Sequence, residues 1–210
     1  MKSTVRNDKR KELIVAEFLD RYLYTKDNGF EFPHREYDDE RQKLGVDIDF
    51  DFNGLNYVCD EKACTSYVNK GLGTFILELS SLRTTGVGLK DGWFLKEDNI
   101  NDSYLFVWLD KAKTNDLEGG VDDIEEVEVC LVRKKKLYEH LESLGWTKDR
   151  LREKADSIRY DGDRYFYNVY KDGYQFCYTS SAVLIEQPIN IKLTRGTYKK
   201  LSDFNKVIMV

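Results

Sequence analysis

The feature that most constrains this chain is an alternating run, VDIDFDF, that is followed by Asn53 and Gly54 and then by a second run, LNYVCDEK. Apolar and acidic residues alternate along the first run, which predicts a β-strand with one buried face. Asn-Gly between two such runs is a strong signal for a two-residue hairpin turn. Residues 46–62 are therefore predicted to form a β-hairpin with a fixed register.

The predicted register sorts the hairpin side chains between two faces, because successive side chains along a strand alternate. The polar, acidic face carries Asp47, Asp49, Asp51, Asn56, Val58, Asp60 and Lys62. The core face carries Ile48, Phe50, Phe52, Leu55, Tyr57 and Cys59. On the acidic face, the register places Asp47 directly opposite Asp60.

This opposed pair, Asp47 and Asp60, is the best candidate for a metal site. Opposed Cβ atoms lie roughly 4.5–5.5 Å apart, so two carboxylates there repel unless solvent, a raised pKa or a cation compensates. Oxygen ligands suit Mg²⁺ or Mn²⁺, which often keep waters for a substrate phosphate. Lys62 points to the same side and could orient a water or neutralise charge on that phosphate. A merely solvated face is the alternative, but three alternating aspartates are poor strand formers, which favours a functional site.

The remaining pattern predicts a single domain of the α/β class, residues 1–210, without repeats or linkers. Apolar residues at helical spacing predict an amphipathic helix at 8–24. Further helices are predicted at 133–145 and 147–160, and strands at 74–80, 103–109, 124–132, 164–170, 174–180, 182–187 and 190–196.

The composition of the chain argues against several classes of function. The net charge of −5 means that the protein has no overall positive field that would attract nucleic acid, although a local basic groove could still bind it. The four cysteines form no C-x-x-C pair and the two histidines are far apart, which argues against a zinc site of the usual spacing. No stretch approaches the roughly 20 apolar residues that span a membrane. We therefore expect a cytoplasmic protein with reduced thiols and no membrane partner.

The hairpin resembles the motif of the PD-(D/E)XK nuclease superfamily, which has the restriction-endonuclease-like fold. The matching residues are Gly45-Val46-Asp47 and Asp60-Glu61-Lys62, with Val46 in the place of the Pro and Glu61 at the x position, which is usually apolar. The likeness in the order of elements covers residues 8–110, and the C-terminal hundred residues carry no matching motif.

This resemblance implies a central mixed β-sheet flanked by helices, with a nuclease-like core at 8–110 and a helical and β-rich C-terminal extension at 111–210. It implies Mg²⁺-dependent (or Mn²⁺-dependent) hydrolysis of DNA phosphodiester bonds. Asp47 and Asp60 inherit the metal-ligand roles, and Lys62 assists the attacking water. Many members add a glutamate from a preceding helix, for which Glu17 is our first choice and Glu12 our second.

Other residues are candidates for supporting roles. Asp49 and Glu78 could support the ligands, and Trp93 could stack on a base. The basic region 133–164 could bind phosphates, with Lys134, Lys135 and Arg150 as the chosen contacts, although a solvated helix start is the better explanation for the first two. Three functions stay open: a DNA nuclease, a binding or structural protein that has lost catalysis, and another phosphate-processing metalloenzyme. RNA as the partner and assembly as a homodimer also stay open.

Overall fold

The structure is a computed structural model that describes residues 4–83, 88–160, 173–178 and 185–210. Within them the helices are α1 (Thr4–Tyr22), α2 (Asp39–Lys43), α3 (Lys134–Ser143), α4 (Lys148–Tyr160) and α5 (Arg195–Leu201). The strands are β1 (Phe30–Arg35), β2 (Ile48–Phe52), β3 (Leu55–Ala63), β4 (Thr74–Leu82), β5 (Leu89–Asp91), β6 (Ser103–Ala112), β7 (Ile124–Arg133), β8 (Tyr174–Tyr178), β9 (Ile189–Thr194) and β10 (Phe204–Met209).

The chain divides into two compact units. The hairpin unit comprises Met1–Leu72, Ile100–Lys134 and Ser202–Val210, and the second unit comprises Gly73–Asn99 and Lys135–Leu201. A single domain with a core at 8–110 stays a prediction. Strand β4, which we placed inside that core, belongs to the sheet of the second unit.

The hairpin unit contains a mixed β-sheet, as expected for an α/β protein. In the described part of the chain its strand order is β1-β2-β3-β6-β7-β10. Strand β3 pairs antiparallel with β2 and parallel with β6, so the hairpin strand that carries the motif lies inside the sheet. Helix α1 packs against this sheet through Val15, Phe18 and Leu19, which are buried.

The predicted hairpin register is confirmed, from the pair Phe52 and Leu55 to the pair Ile48 and Cys59. Asn53 and Gly54 both have positive φ, 52° and 74°, as a type I′ turn requires. The core face is buried as predicted except at Leu55, which is exposed. Leu55 adjoins the turn, beyond the reach of the packed core.

Two local expectations differ from the structure. Leu13, which belongs to the pattern of apolar residues that predicted this helix, is exposed, while Lys11 is buried and donates from Nζ to the Asn115 carbonyl at 2.9 Å. Strand β1 lies in a segment whose charges and Pro33 gave no strand pattern. It is an edge strand of the sheet in the described residues, where a proline that lacks an N–H is tolerated.

The second unit is built on its own sheet, with strand order β5-β4-β9-β8 among the described residues. Helix α4 packs on β4 and β9 and buries Leu151, Ala155 and Ile158. The strand predicted at 164–170 lies outside the described residues, as do residues 179–180 of the strand predicted at 174–180 and residues 182–184 of the strand predicted at 182–187. No helix in the described part of the chain is both long enough and apolar enough to cross a membrane.

Candidate active site

The carboxyl group of Asp47 lies close enough to that of Asp60 for its charge to act on it. Asp47 directly precedes β2, and its backbone N–H donates to the Cys59 carbonyl at 2.9 Å. Asp60 lies on β3 between two neighbouring strands and is 3% exposed. Burial raises the pKa of Asp60 to about 7, the charge of Lys62 opposes this, and the like charge of Asp47 adds to it. The pair that the register predicted therefore places a buried carboxyl group with a raised pKa beside a second carboxylate.

Lys62 supplies the positive charge of this site. Its ammonium group forms an ion pair with the Asp60 carboxylate. Burial acts to lower the pKa of Lys62, but the nearby carboxylates of Asp60, Asp47 and Glu12 raise it above its ordinary value. Lys62 thus stays protonated at neutral pH, so it can stabilise negative charge but cannot serve as a general base.

Helix α1 contributes Glu12 to the site rather than Glu17. Glu17 is exposed and forms an ion pair with Arg21 on the same helix. Glu12 is close enough to Lys62 and Asp47 for their charges to act on it. The pKa of Glu12 is raised, chiefly because protein atoms remove part of its solvent, with Lys62 opposing and Asp47 adding. Glu12, our second choice for the helix glutamate, therefore lies where we had expected Glu17.

Glu61, at the x position of the motif, is held by a buried network. Its carboxylate accepts hydrogen bonds from the Tyr24 hydroxyl at 2.6 Å and from Arg35 Nη1 at 2.8 Å. Arg35 is itself largely buried and also donates to Asp20 at 2.7 Å. Burial raises the pKa of Glu61, and Arg35 opposes that rise. Arg35 thus compensates the charge of a carboxylate that is buried at a core-facing strand position.

Sequence reasoning missed Tyr24 and Arg35 as part of this site. Arg35 ends β1, the strand whose charges gave no β pattern, and Tyr24 closes the predicted helix segment. The sequence did offer one signal for such a partner. Glu61 is a charged residue at a core-facing strand position, and a buried carboxylate requires a partner.

Asp49 and Asp51 lie outside the carboxyl pair. Asp49 lies opposite His34 on β1, and the two side chains are 3.5 Å apart. Asp51 accepts a hydrogen bond from Asn56 at 3.0 Å. A supporting role for Asp49 stays a prediction.

Several predicted contact residues belong to the second unit. Glu78 on β4 accepts a hydrogen bond from Ser81 at 3.0 Å. Trp93 is half-buried. Arg150 is exposed and donates from Nη1 to the Gly145 carbonyl at 3.0 Å, so it closes the end of α3. Their roles in catalysis or nucleic-acid binding stay predictions.

The two chosen lysines have local partners. Lys134 donates from Nζ to Asn101 Oδ1 at 3.3 Å, and the exposed Lys135 pairs with Glu139 at 3.7 Å. Residues 161–164 of the predicted basic region lie outside the described residues.

A cavity of about 180 Å³ adjoins the carboxyl pair. It is bounded by Glu12 and Leu13 of α1, by residues of the segment 35–42, and by Asp47 and Glu61. The helix glutamate and one carboxylate of the pair therefore face a space that can admit a ligand.

The residues present fit a magnesium ion only as an open site. Asp47 and Asp60 offer adjacent carboxylates, and Mg²⁺ in enzymes is often held by one or two carboxylates together with waters and substrate phosphates. Within the described residues, no group of three or more His, Cys, Asp or Glu side chains is arranged to hold a metal ion. The donor set therefore suits a cation shared with a substrate and does not form an all-protein cage.

Comparisons with known proteins identify no relative. No family model matches the chain, and neither the curated proteins nor the solved structures provide a match.

Proposed function

We propose that this protein is a Mg²⁺-dependent nuclease that hydrolyses DNA phosphodiester bonds at the Asp47 and Asp60 pair. The observation that carries the proposal is the carboxyl pair itself. Asp60 is buried, and the protonated Lys62 forms an ion pair with it. Two carboxyl groups and an ammonium group that lie together inside a sheet cost stability, and perturbed groups of this kind cluster at active sites.

Each residue would have a distinct role. Asp47 and Asp60 would hold the cation, which supplies positive charge against the phosphate and makes a nearby water more acidic. The Lys62 ammonium would stabilise the negative charge that develops on the phosphate oxygens. Glu12, with its raised pKa, would accept the proton of the attacking water. The water oxygen bonds to phosphorus, the bond to the sugar oxygen breaks, and that oxygen takes up a proton.

Plasmid cleavage tests this proposal. Supercoiled DNA is incubated with Mg²⁺ or Mn²⁺ and the wild-type protein, Lys62→Ala, Asp60→Asn or the surface control Glu17→Gln. We expect nicked or linear products from the wild type and the control, and a loss of roughly 100-fold or more in both site variants. Cleavage that persists in both variants would show that the site is elsewhere.

A second candidate is a nucleic-acid-binding or structural protein without catalysis. It is favoured by the missing third ligand in the described residues and by Lys62, which already neutralises Asp60. Failure to cleave any form of DNA or RNA, with binding retained, would support it.

A further inference from the structure

An exposed aromatic side chain stands beside the candidate site. Tyr37 is 80% exposed and lines the cavity next to Asp47, and Leu13, also largely exposed, lines it as well. A large apolar side chain that remains in solvent at the wall of a cavity is a common feature of ligand-binding surfaces.

The backbone at Tyr37 is held firmly by its neighbour Glu36. The Glu36 carboxylate is buried and accepts hydrogen bonds from the N–H groups of Tyr37 and Asp38 at 3.0 and 2.9 Å. The Glu36 carbonyl accepts from Gln42 Nε2 at 2.8 Å, and the Glu36 N–H donates to the Asp47 carbonyl at 2.8 Å. Tyr37 is therefore presented on a fixed turn that is bonded directly to a candidate metal ligand.

The charges of the lining select which part of a nucleotide can enter. Among the described residues that line the cavity, the carboxylates are those of Glu12, Glu36, Asp47 and Glu61, and the cations are Lys9 and Arg35. Arg35 pairs with Glu61, and Arg41, outside the lining, pairs with Glu36. Because the remaining acids, Glu12 and Asp47, outnumber Lys9, a phosphate is disfavoured inside the cavity and an uncharged group is not. The volume is also below the roughly 300–1,000 Å³ of pockets for drug-sized ligands. A single planar base is both small and uncharged, so it suits the volume and the charge of the cavity.

We propose that this cavity receives one unpaired nucleobase of single-stranded DNA, stacked on Tyr37, while the adjoining phosphate lies toward the carboxyl pair. The inference rests on the proposed nuclease function and specifies its substrate. A base within a duplex is stacked on both faces and cannot present a face to Tyr37, so the substrate must offer an unpaired base.

The test measures binding apart from cleavage. A short single-stranded oligonucleotide that carries one 2-aminopurine is titrated with the full chain in Ca²⁺ instead of Mg²⁺, and the same sequence is titrated as a duplex. A gel after each titration verifies that the DNA is intact. The variants are Tyr37→Ala, Tyr37→Phe and, as a matched control, Tyr160→Ala, because Tyr160 is 81% exposed.

We expect the single strand to bind more tightly than the duplex and its 2-aminopurine fluorescence to be quenched. Tyr37→Ala should weaken binding roughly 5- to 100-fold and abolish the quenching, since one stacked base contributes that much. Tyr37→Phe keeps the ring and should retain both signals, and Tyr160→Ala should match the wild type.

Two results separate this inference from the nuclease proposal. Wild-type affinity and quenching in Tyr37→Ala would overturn the cavity assignment, even if plasmid is cleaved. Quenching that depends on Tyr37, without cleavage of any DNA, would support the cavity assignment and overturn the nuclease.

Discussion

The backbone N–H of Glu61 donates a hydrogen bond to a carboxylate oxygen of Asp47 at 2.7 Å. The side chain of the same Glu61 is fixed by Arg35 and Tyr24. Glu61 thereby connects a buried ion pair to a candidate metal ligand, because the position of its backbone determines where its N–H points. Glu61 therefore helps to hold the Asp47 carboxylate in place.

Removal of Arg35 should destabilise the fold strongly. In Arg35→Met the Glu61 carboxylate stays buried without its cation, which costs about 3–5 kcal/mol. Arg21→Met, which removes the exposed pair with Glu17, should cost at most about 1 kcal/mol. Urea unfolding of both variants measures the difference. A loss in Arg35→Met no larger than that in Arg21→Met would contradict the role given to this ion pair.

The double variant Arg35→Met with Glu61→Leu tests the coupling directly. With both charges removed, no carboxylate is left unpaired, so the loss should be smaller than the sum of the two single losses. An additive result would mean that Arg35 and Glu61 stabilise the fold independently.

Stability should fall as pH rises from about 4 to 7. The pKa of Asp60 is about 7 in the folded protein against an ordinary 3.8, so between these values the folded state holds a proton that the unfolded state has released. Each pH unit crossed in this range costs up to about 1.4 kcal/mol, and the contribution is constant above it. Unfolding free energies measured across this range in the wild type and in Asp60→Asn check the effect.

Asp60→Asn should flatten this dependence, because an amide does not titrate, even though its absolute stability also changes when Lys62 loses its partner. Asp51→Asn, on the same hairpin, is the control and should keep the wild-type slope. Equal slopes in the wild type and Asp60→Asn would show that another group causes the pH dependence.

The hairpin and its carboxyl pair could be predicted from the sequence because both depend on local rules. An Asn-Gly turn fixes the register, and strand alternation then places Asp47 against Asp60. The partner of Glu61 could not be predicted in the same way. Arg35 reaches Glu61 from an edge strand that Pro33 makes hard to recognise in the sequence, and only tertiary packing brings the two residues together.

The choice between Glu12 and Glu17 shows the same limit. Five residues along an α-helix correspond to a rotation of about 140° away from the starting direction, so the two glutamates face different sides. The sequence indicates that only one of them can point at the site. Which one does so depends on the turn of α1 that packs beside β3, and that is decided by contacts such as those of Val15 and Phe18.

Exchange of the helix glutamate should therefore distinguish the two positions. Glu12→Gln removes the proton acceptor proposed for the attacking water, so plasmid cleavage should fall about 100-fold or more. Glu17→Gln breaks an exposed pair and should stay within about twofold of the wild type. Initial cleavage rates in Mg²⁺ give the comparison. A larger loss in Glu17→Gln would return the helix role to Glu17.

Divalent cations should stabilise the protein more at pH 8 than at pH 6. A cation at the Asp47 and Asp60 pair competes with the proton that Asp60 holds below a pH of about 7, so apparent affinity rises as that proton leaves. Since a ligand bound only to the folded state stabilises it by RT ln(1 + [L]/Kd), a tenfold change in Kd alters stability by up to about 1.4 kcal/mol. Thermal unfolding with and without Mg²⁺ at both pH values measures this shift. Asp60→Asn should abolish the pH dependence, whereas Glu17→Gln should keep it. An equal stabilisation at both pH values in the wild type would place the cation away from Asp60.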